Sequence, residues 1–186
     1  CRQCGISAQS PRSFLDYRDC IKSGWGGKPV LAMKKEFKEI IEKLPYSPPF
    51  LFADGLSVLN ADMVEGFYRF SPDSYFYRGH FKNNPVTPGV ILTECCAQIG
   101  LVCLGIYLTG PMKGAGEPSS EPGTAVMTES SMEFLKPVFP GEVVKVRGEK
   151  IYFRFNKLKA KVRLYKADGE LACRGEIAGV FQSPRK

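Results

Sequence analysis

Hydrophobic positions follow two helical patterns and one extended pattern along this chain. Between residues 35 and 44 they recur at Phe37, Ile40, Ile41 and Leu44, with Lys and Glu between them. That spacing predicts a short amphipathic helix. Pro45, Pro48 and Pro49 end it, since proline lacks a donor and clashes with the preceding turn. From 86 to 108 nearly every position is apolar, with Glu94 and Gln98 in the middle. This predicts a second helix that is apolar almost all round and must be covered on most sides. Thr87 is placed to cap it and Pro88 to open it. The two internal polar residues argue for burial in protein rather than lipid, so no membrane span is expected.

The remainder reads as strands at 50–60, 64–70, 125–138, 142–155, 158–165 and 170–181. In one of them Leu158, Ala160, Val162 and Leu164 alternate with Lys157, Lys159, Lys161 and Arg163, the period of a half-buried strand. A PGE run at 140–142 and Asp168-Gly169 mark turns. The expected fold is therefore α+β, a long antiparallel sheet wrapped around one central apolar helix. There is no βαβ alternation and no Gly-rich phosphate fingerprint, which disfavours nucleotide binding. The run GPMKGAGEPSSEPG at 110–123 reads as a loop. Residues 1–33 show no sustained periodicity and lack a signal peptide's apolar core. They read as a flexible extension ahead of a single domain at 34–186.

Composition narrows the class. With 186 residues, 44% hydrophobic and 24% charged, the chain can bury a full core and is an ordinary globular protein. The net charge of +7 is unevenly placed: residues 1–35 hold seven cations against Asp16 and Asp19, a net +5, and the rest holds +2. A nearly neutral main fold does not carry a nucleic-acid footprint. Cys95, Cys96 and Cys103 lie in the apolar helix and Cys173 in a strand, where cysteine acts as a small hydrophobe. That usage fits a reducing compartment, so a cytoplasmic protein is expected. Cys1 and Cys4 form a lone CxxC, and His80 is the one histidine, too few ligands for a zinc site. No metal is expected.

Chemistry concentrates in RGHFKNNPVTPGVILTECCAQ, residues 78–98. His80 stands on a loop leading into the helix. Glu94 lies inside an apolar helix, where a carboxylate is costly without a partner or a task. Gln98 follows one turn later, within reach to brace it. A carboxylate beside a titratable imidazole is the material of acid–base catalysis.

With LPYSPPFLFAD at 44–54, GHFKNNPVTPGV at 79–90, ILTECCAQ at 91–98 and FLKPVFPGE at 134–142, the chain resembles the 3-hydroxyacyl-(acyl carrier protein) dehydratases of the hotdog fold over about residues 36–182. The resemblance implies that His80 and Glu94 are the catalytic pair. His80 would take the α-proton of a 3-hydroxyacyl thioester and Glu94 would deliver a proton to the departing hydroxyl. Gly89, at the helix start, would let the thioester oxygen approach free N–H groups. Phe81, Pro88, Val90 and Gln98 are expected beside Gly89 at the substrate. The resemblance further implies no cofactor, an acyl carrier protein as partner, and a homodimer or higher assembly of dimers. In such a dimer the histidine of one copy faces the glutamate of the other. Arg78 and Lys82, flanking His80, are the expected carrier-docking residues, with the cationic face of 157–163 as a further landing surface. The chain departs from the family pattern at Tyr46-Ser47, where His-Arg is usual, at Lys82-Asn83, where Pro-Gly is usual, and at Thr87, where an apolar residue is usual. Two other classes share the fold. A hotdog thioesterase would not need His80, and a non-catalytic partner subunit would be expected to lack His80 or Glu94.

Overall fold

The computed structural model describes residues 34–110 and 124–182. The expected extension at 1–33 and most of the expected 110–123 loop lie outside the described residues. Helix α1 (Lys35–Glu42) turns Phe37 and Ile40 inward, as its spacing predicts. Strands β1 (Gly55–Leu59) and β2 (Met63–Arg69) follow, and then a short 3-10 turn at Tyr75–Arg78. The central helix α2 spans Gly89–Thr109. Strands β3 (Thr124–Phe134), β4 (Val143–Arg154), β5 (Lys157–Lys166) and β6 (Leu171–Gln182) complete the fold. The six strands form one antiparallel sheet in the order β1-β2-β4-β5-β6-β3.

Four features differ from the pattern in the sequence. The expected strand at 50–60 shortens to β1 because the backbone at Phe50 and Phe52 bonds to the Gln98 side chain, not to a neighbouring strand. The expected strand at 125–138 stops at Phe134, where the amides of Leu135 and Lys136 both turn to the carbonyl of Ala172. Thr87 does not cap α2. Pro88 occupies the cap position, and the Thr87 hydroxyl pairs with Tyr77 instead. Finally, α2 is not uniform. Gln98–Cys103 is wound as a π-helix between the α-helical stretches Gly89–Ala97 and Leu104–Thr109.

By length and composition α2 would suffice to cross a membrane, at mean hydropathy 1.9, yet 72% of that stretch is buried inside the chain, making it the core helix. The sheet meets it with Val64, Val144, Val146, Leu158, Ala160, Val162, Leu164 and Ile177, all fully buried. The alternation read from 157–164 is thus realised, with the apolar set against the helix. On the opposite face cations and carboxylates interlock. Glu65 holds Lys145 at 2.8 Å and Arg147 at 3.6 Å, and Glu149 holds Arg147 and Arg163, each at 2.9 Å. Partial burial disfavours ionisation of Glu149, but Arg163 and Arg147 outweigh it and hold its carboxyl below the usual range. Lys159 lies between Glu176 at 3.0 Å and Glu129 at 3.2 Å.

The helix reaches the sheet closely because two backbones meet without side chains. A Cβ on Gly148 of β4 would lie 2.6 Å from the Cα of Gly100 in the π-helical segment. Both neighbours are backbone, so neither can swing aside. Gly148→Ala should therefore destabilise the fold by about 1–3 kcal/mol, the usual cost of overpacking. Thermal denaturation checks this: Tm should fall by at least ~2 °C, and an unchanged Tm would contradict the close approach.

Candidate active site

His80 sits in the segment joining the 3-10 turn to α2. Its backbone N–H donates to the Phe76 carbonyl at 3.0 Å, and its carbonyl accepts from the Val86 N–H at 2.9 Å. Its Nδ1 lies 2.9 Å from the Val86 carbonyl oxygen. A carbonyl can only accept, so Nδ1 carries the hydrogen and, in the neutral ring, Nε2 keeps a free lone pair. The imidazole stacks on Phe81, with ring centroids 4.0 Å apart, and the peptide between the two residues is cis. Between Phe81 and Asn84 the chain closes a turn on reciprocal backbone bonds of 3.3 Å. Asn83 takes φ 62° there, a left-handed conformation that asparagine tolerates better than most residues. The Lys82-Asn83 departure thus keeps a residue suited to the turn.

Glu94 lies on the second turn of α2, partly buried, and Gln98 controls it. The Gln98 Oε1 accepts from the Phe52 N–H at 2.7 Å. Its Nε2 donates to the Phe50 carbonyl at 2.8 Å and to Glu94 Oε1 at 2.9 Å. The two backbone partners fix the amide orientation, since only oxygen can meet an N–H and only nitrogen can meet a carbonyl. Gln98 can therefore act on Glu94 only as a donor. This leaves Glu94 Oε2 without a hydrogen bond among the described residues.

At the start of α2, the amides of Ile91 and Leu92 are the first to bond back, both to the Pro88 carbonyl. The N–H groups of Gly89 and Val90 precede them and have no acceptor among the described residues, as the first turn of a helix dictates. The Phe134 ring lies against Gly89, 3.1 Å from where a Cβ would stand. Val90 is 75% exposed and Phe134 50%, so apolar surface is open to solvent at the helix start.

The residues singled out in the sequence thus fall into two clusters. His80, Phe81, Pro88, Gly89 and Val90 gather at the loop and helix start. Glu94 and Gln98 form a bonded pair on the helix. Among the described residues no hydrogen bond or ion pair joins His80 to Glu94. Arg78 and Lys82 are exposed on either side of His80 and make no ion pair among the described residues. No group of three His, Cys, Asp or Glu side chains there is placed to hold a metal.

Three residues of this region were not legible as site residues. Tyr46 is close enough to Glu94 to feel its charge. Burial, then that charge, pushes its phenol to about 12, so the hydroxyl stays neutral. The only signal was the departure from His at this position. Phe134 gave none, because its contact with Gly89 spans 45 residues of sequence. Tyr77, bonded to Thr87, gave none either.

The chain is similar to the 3-hydroxyacyl-[acyl-carrier-protein] dehydratase FabZ of Caldicellulosiruptor bescii, 33% identical over 140 residues, covering 75% of this chain and 93% of that protein. The protein of the same name from Acetivibrio thermocellus is also 33% identical over 140 residues, covering 75% of this chain and 89% of its own length. Among solved structures, the dehydratase heterocomplex ApeI:P from Xenorhabdus doucetiae superposes with TM-score 0.62 at 12% identity, covering 78% of this chain and 91% of that one. A hypothetical thioesterase with coenzyme A from Streptococcus pneumoniae TIGR4 gives TM-score 0.50 at 16% identity, with coverage of 70% and 87%. At those identities the two structures speak to the shared hotdog fold alone. Residues 44–179, which include every site residue described above, match the FabA-like domain, and this chain belongs to that family.

Proposed function

We propose that this protein is a 3-hydroxyacyl-(acyl carrier protein) dehydratase, a lyase that converts a 3-hydroxyacyl thioester to the 2-enoyl thioester and water in fatty-acid or related acyl biosynthesis. The observation that carries this reading is the state of the two catalytic candidates within a FabA-like chain. His80 presents a free Nε2, and Glu94 is held by Gln98 with one oxygen unbonded. His80 Nε2 takes the proton from C2, and the electron pair of that bond forms the C2–C3 double bond. The C3–O bond breaks, and Glu94 protonates the leaving oxygen to give water. His80 ends as imidazolium and Glu94 as carboxylate, so one proton passed back between them resets the site with no change in oxidation state. Negative charge developing on the thioester oxygen meets the N–H groups of Gly89 and Val90 at the positive end of the helix dipole.

The site is completed by a second copy. β3 is an edge strand of 11 residues with Val126, Met127 and Phe134 exposed, an unprotected edge of the kind that pairs with another chain. Val90 beside it adds apolar surface on the helix. Edge-to-edge pairing through β3 would cover this surface and bring His80 of one protomer toward Glu94 of its partner. The acyl carrier protein is acidic in this reading and docks at Arg78 and Lys82, the unpaired cations beside His80. Lys159, Arg163 and Lys166 on β5 already have carboxylate partners, which leaves Lys157 and Lys161 as the cations of that strand without an ion pair among the described residues. A cytoplasmic setting agrees with Cys95, Cys96, Cys103 and Cys173, all free and buried. Burial pushes the Cys103 thiol to about 12.

Incubation with a 3-hydroxyacyl carrier thioester should yield the 2-enoyl product; release of free acid would instead indicate a thioesterase. His80→Ala should lose ~10² to 10⁴ in turnover, as expected for removal of a general base. Glu94→Gln should also be inactive, because an amide cannot supply the proton. It should melt no lower than wild type, since its oxygen can still accept from Gln98. When the two inactive chains are co-refolded, half of the dimers are mixed and each holds one intact composite site. About a quarter of wild-type activity should return, whereas no recovery from well-mixed heterodimers would place both residues of a site on one chain.

Charge reversal at Arg78 and Lys82 should raise KM for the carrier-bound substrate and remove the rise of that KM with salt, because salt then screens a repulsion instead of an attraction. Turnover of the corresponding pantetheine thioester should be unaffected. An unchanged KM on the carrier-bound substrate would exclude this docking surface.

A further inference from the structure

Tyr77 and Thr87 stand at the two ends of the segment that carries His80. Tyr77 belongs to the 3-10 turn at Tyr75–Arg78, and Thr87 directly precedes the Pro88 cap of α2. Both are buried, at 7% and 3% exposure, and their hydroxyl oxygens lie 2.5 Å apart. The Thr87 N–H is also anchored, donating to the Val138 carbonyl at 2.8 Å.

Between these ends, the imidazole takes its orientation from the Val86 carbonyl. That carbonyl belongs to the peptide unit whose nitrogen is the anchored N–H of Thr87. The position of Thr87 therefore sets the position of the group that orients His80. A threonine here replaces the apolar residue of the family pattern. A buried hydroxyl is costly unless paired, and Tyr77 supplies the pair. Burial raises the Tyr77 phenol above its ordinary value against a smaller lowering from the Thr87 bond, so the phenol stays neutral and keeps its hydrogen for bonding.

We propose that the Tyr77–Thr87 hydroxyl pair is a clamp that closes the His80 segment and sets the imidazole for proton abstraction, which makes both of them positioning residues. This inference rests on the assignment of His80 as the base.

The test compares Tyr77→Phe, Thr87→Val, Thr87→Ser and the double variant Tyr77→Phe/Thr87→Val in the full chain. The readouts are kcat, KM, Tm and amide hydrogen exchange over residues 79–87. Each of the first two single variants orphans one buried hydroxyl and should lower both Tm and kcat. The double variant removes both hydroxyls, so its Tm should return toward wild type. Its kcat should remain between about 10- and 100-fold low, the scale of small misplacements at a reacting centre. KM should stay within about twofold, because the clamp touches no substrate, and exchange over 79–87 should be faster. Thr87→Ser keeps the hydroxyl and should retain wild-type exchange and kcat. A double variant with wild-type kcat and wild-type exchange would overturn the clamp, as would a Thr87→Ser variant as impaired as Thr87→Val. The assignment of His80 fails separately, through an active His80→Ala variant, because the exchange readout does not depend on turnover.

Discussion

A fully buried primary amide ties this structure together. Gln98 sits fully buried in a mostly apolar helix, where an unpaired amide would cost several kcal/mol, on the order of 2–7. Its cost is offset by three hydrogen bonds of 2.7–2.9 Å, to Phe52 N, Phe50 O and Glu94 Oε1. The first two replace the strand partner that residues 50–52 lack. The third points a carboxylate. The same side chain therefore closes the segment ahead of β1 onto the central helix and prepares Glu94. Fold and site cannot be separated at this residue.

The helix that carries Gln98 is held by the sheet from one side. The sheet accepts it closely because Gly100 and Gly148 let two backbones meet. Just ahead of that contact the helix turns to π-helical geometry, beginning at Gln98 itself. Such segments often mark functional positions, and here the change of winding starts at the residue that bonds both the backbone at Phe50 and Phe52 and the Glu94 carboxylate. At the far margin of the sheet β3 lacks a neighbour among the described residues, and Val90 and Phe134 are exposed near the start of α2. A single copy thus has a finished core and an unfinished edge. The unfinished edge lies beside the proposed chemistry.

Departures from the family pattern are absorbed locally by compensating chemistry. Asn83 adopts the left-handed backbone of a turn where Pro-Gly is usual. Thr87 brings a hydroxyl into a buried place, and Tyr77 meets it. Tyr46 stands where histidine is usual, and the charge of Glu94 reaches it. The outer face of the sheet shows the same economy: Lys159, Arg163 and Arg147 are each matched by nearby glutamates. Ion pairs of this exposure contribute little singly, but they keep a cation-rich strand from standing as an open charged face.

Periodicity alone carried the α+β arrangement, the amphipathic α1, the inward set Leu158, Ala160, Val162 and Leu164, and the PGE and Asp-Gly turns. These depend on neighbours within a few residues, and local sequence encodes such neighbours directly. The placement of His80 and Glu94 beside and within the apolar helix was legible for the same reason. What Thr87 does was not: its spacing marked it as a helix cap, and only the fold brings Tyr77 to its hydroxyl. The early end of β3 at Phe134, the shortening of the first strand to β1, the Gly100–Gly148 contact and the bonds from Gln98 to Phe50 and Phe52 share that cause, whereas the Gln98–Glu94 bond was legible from their i, i+4 spacing. Each is settled by a competing partner distant in the chain. Backbone groups take whichever hydrogen-bond partner folding brings within reach, and no pattern read along the sequence reveals which one arrives.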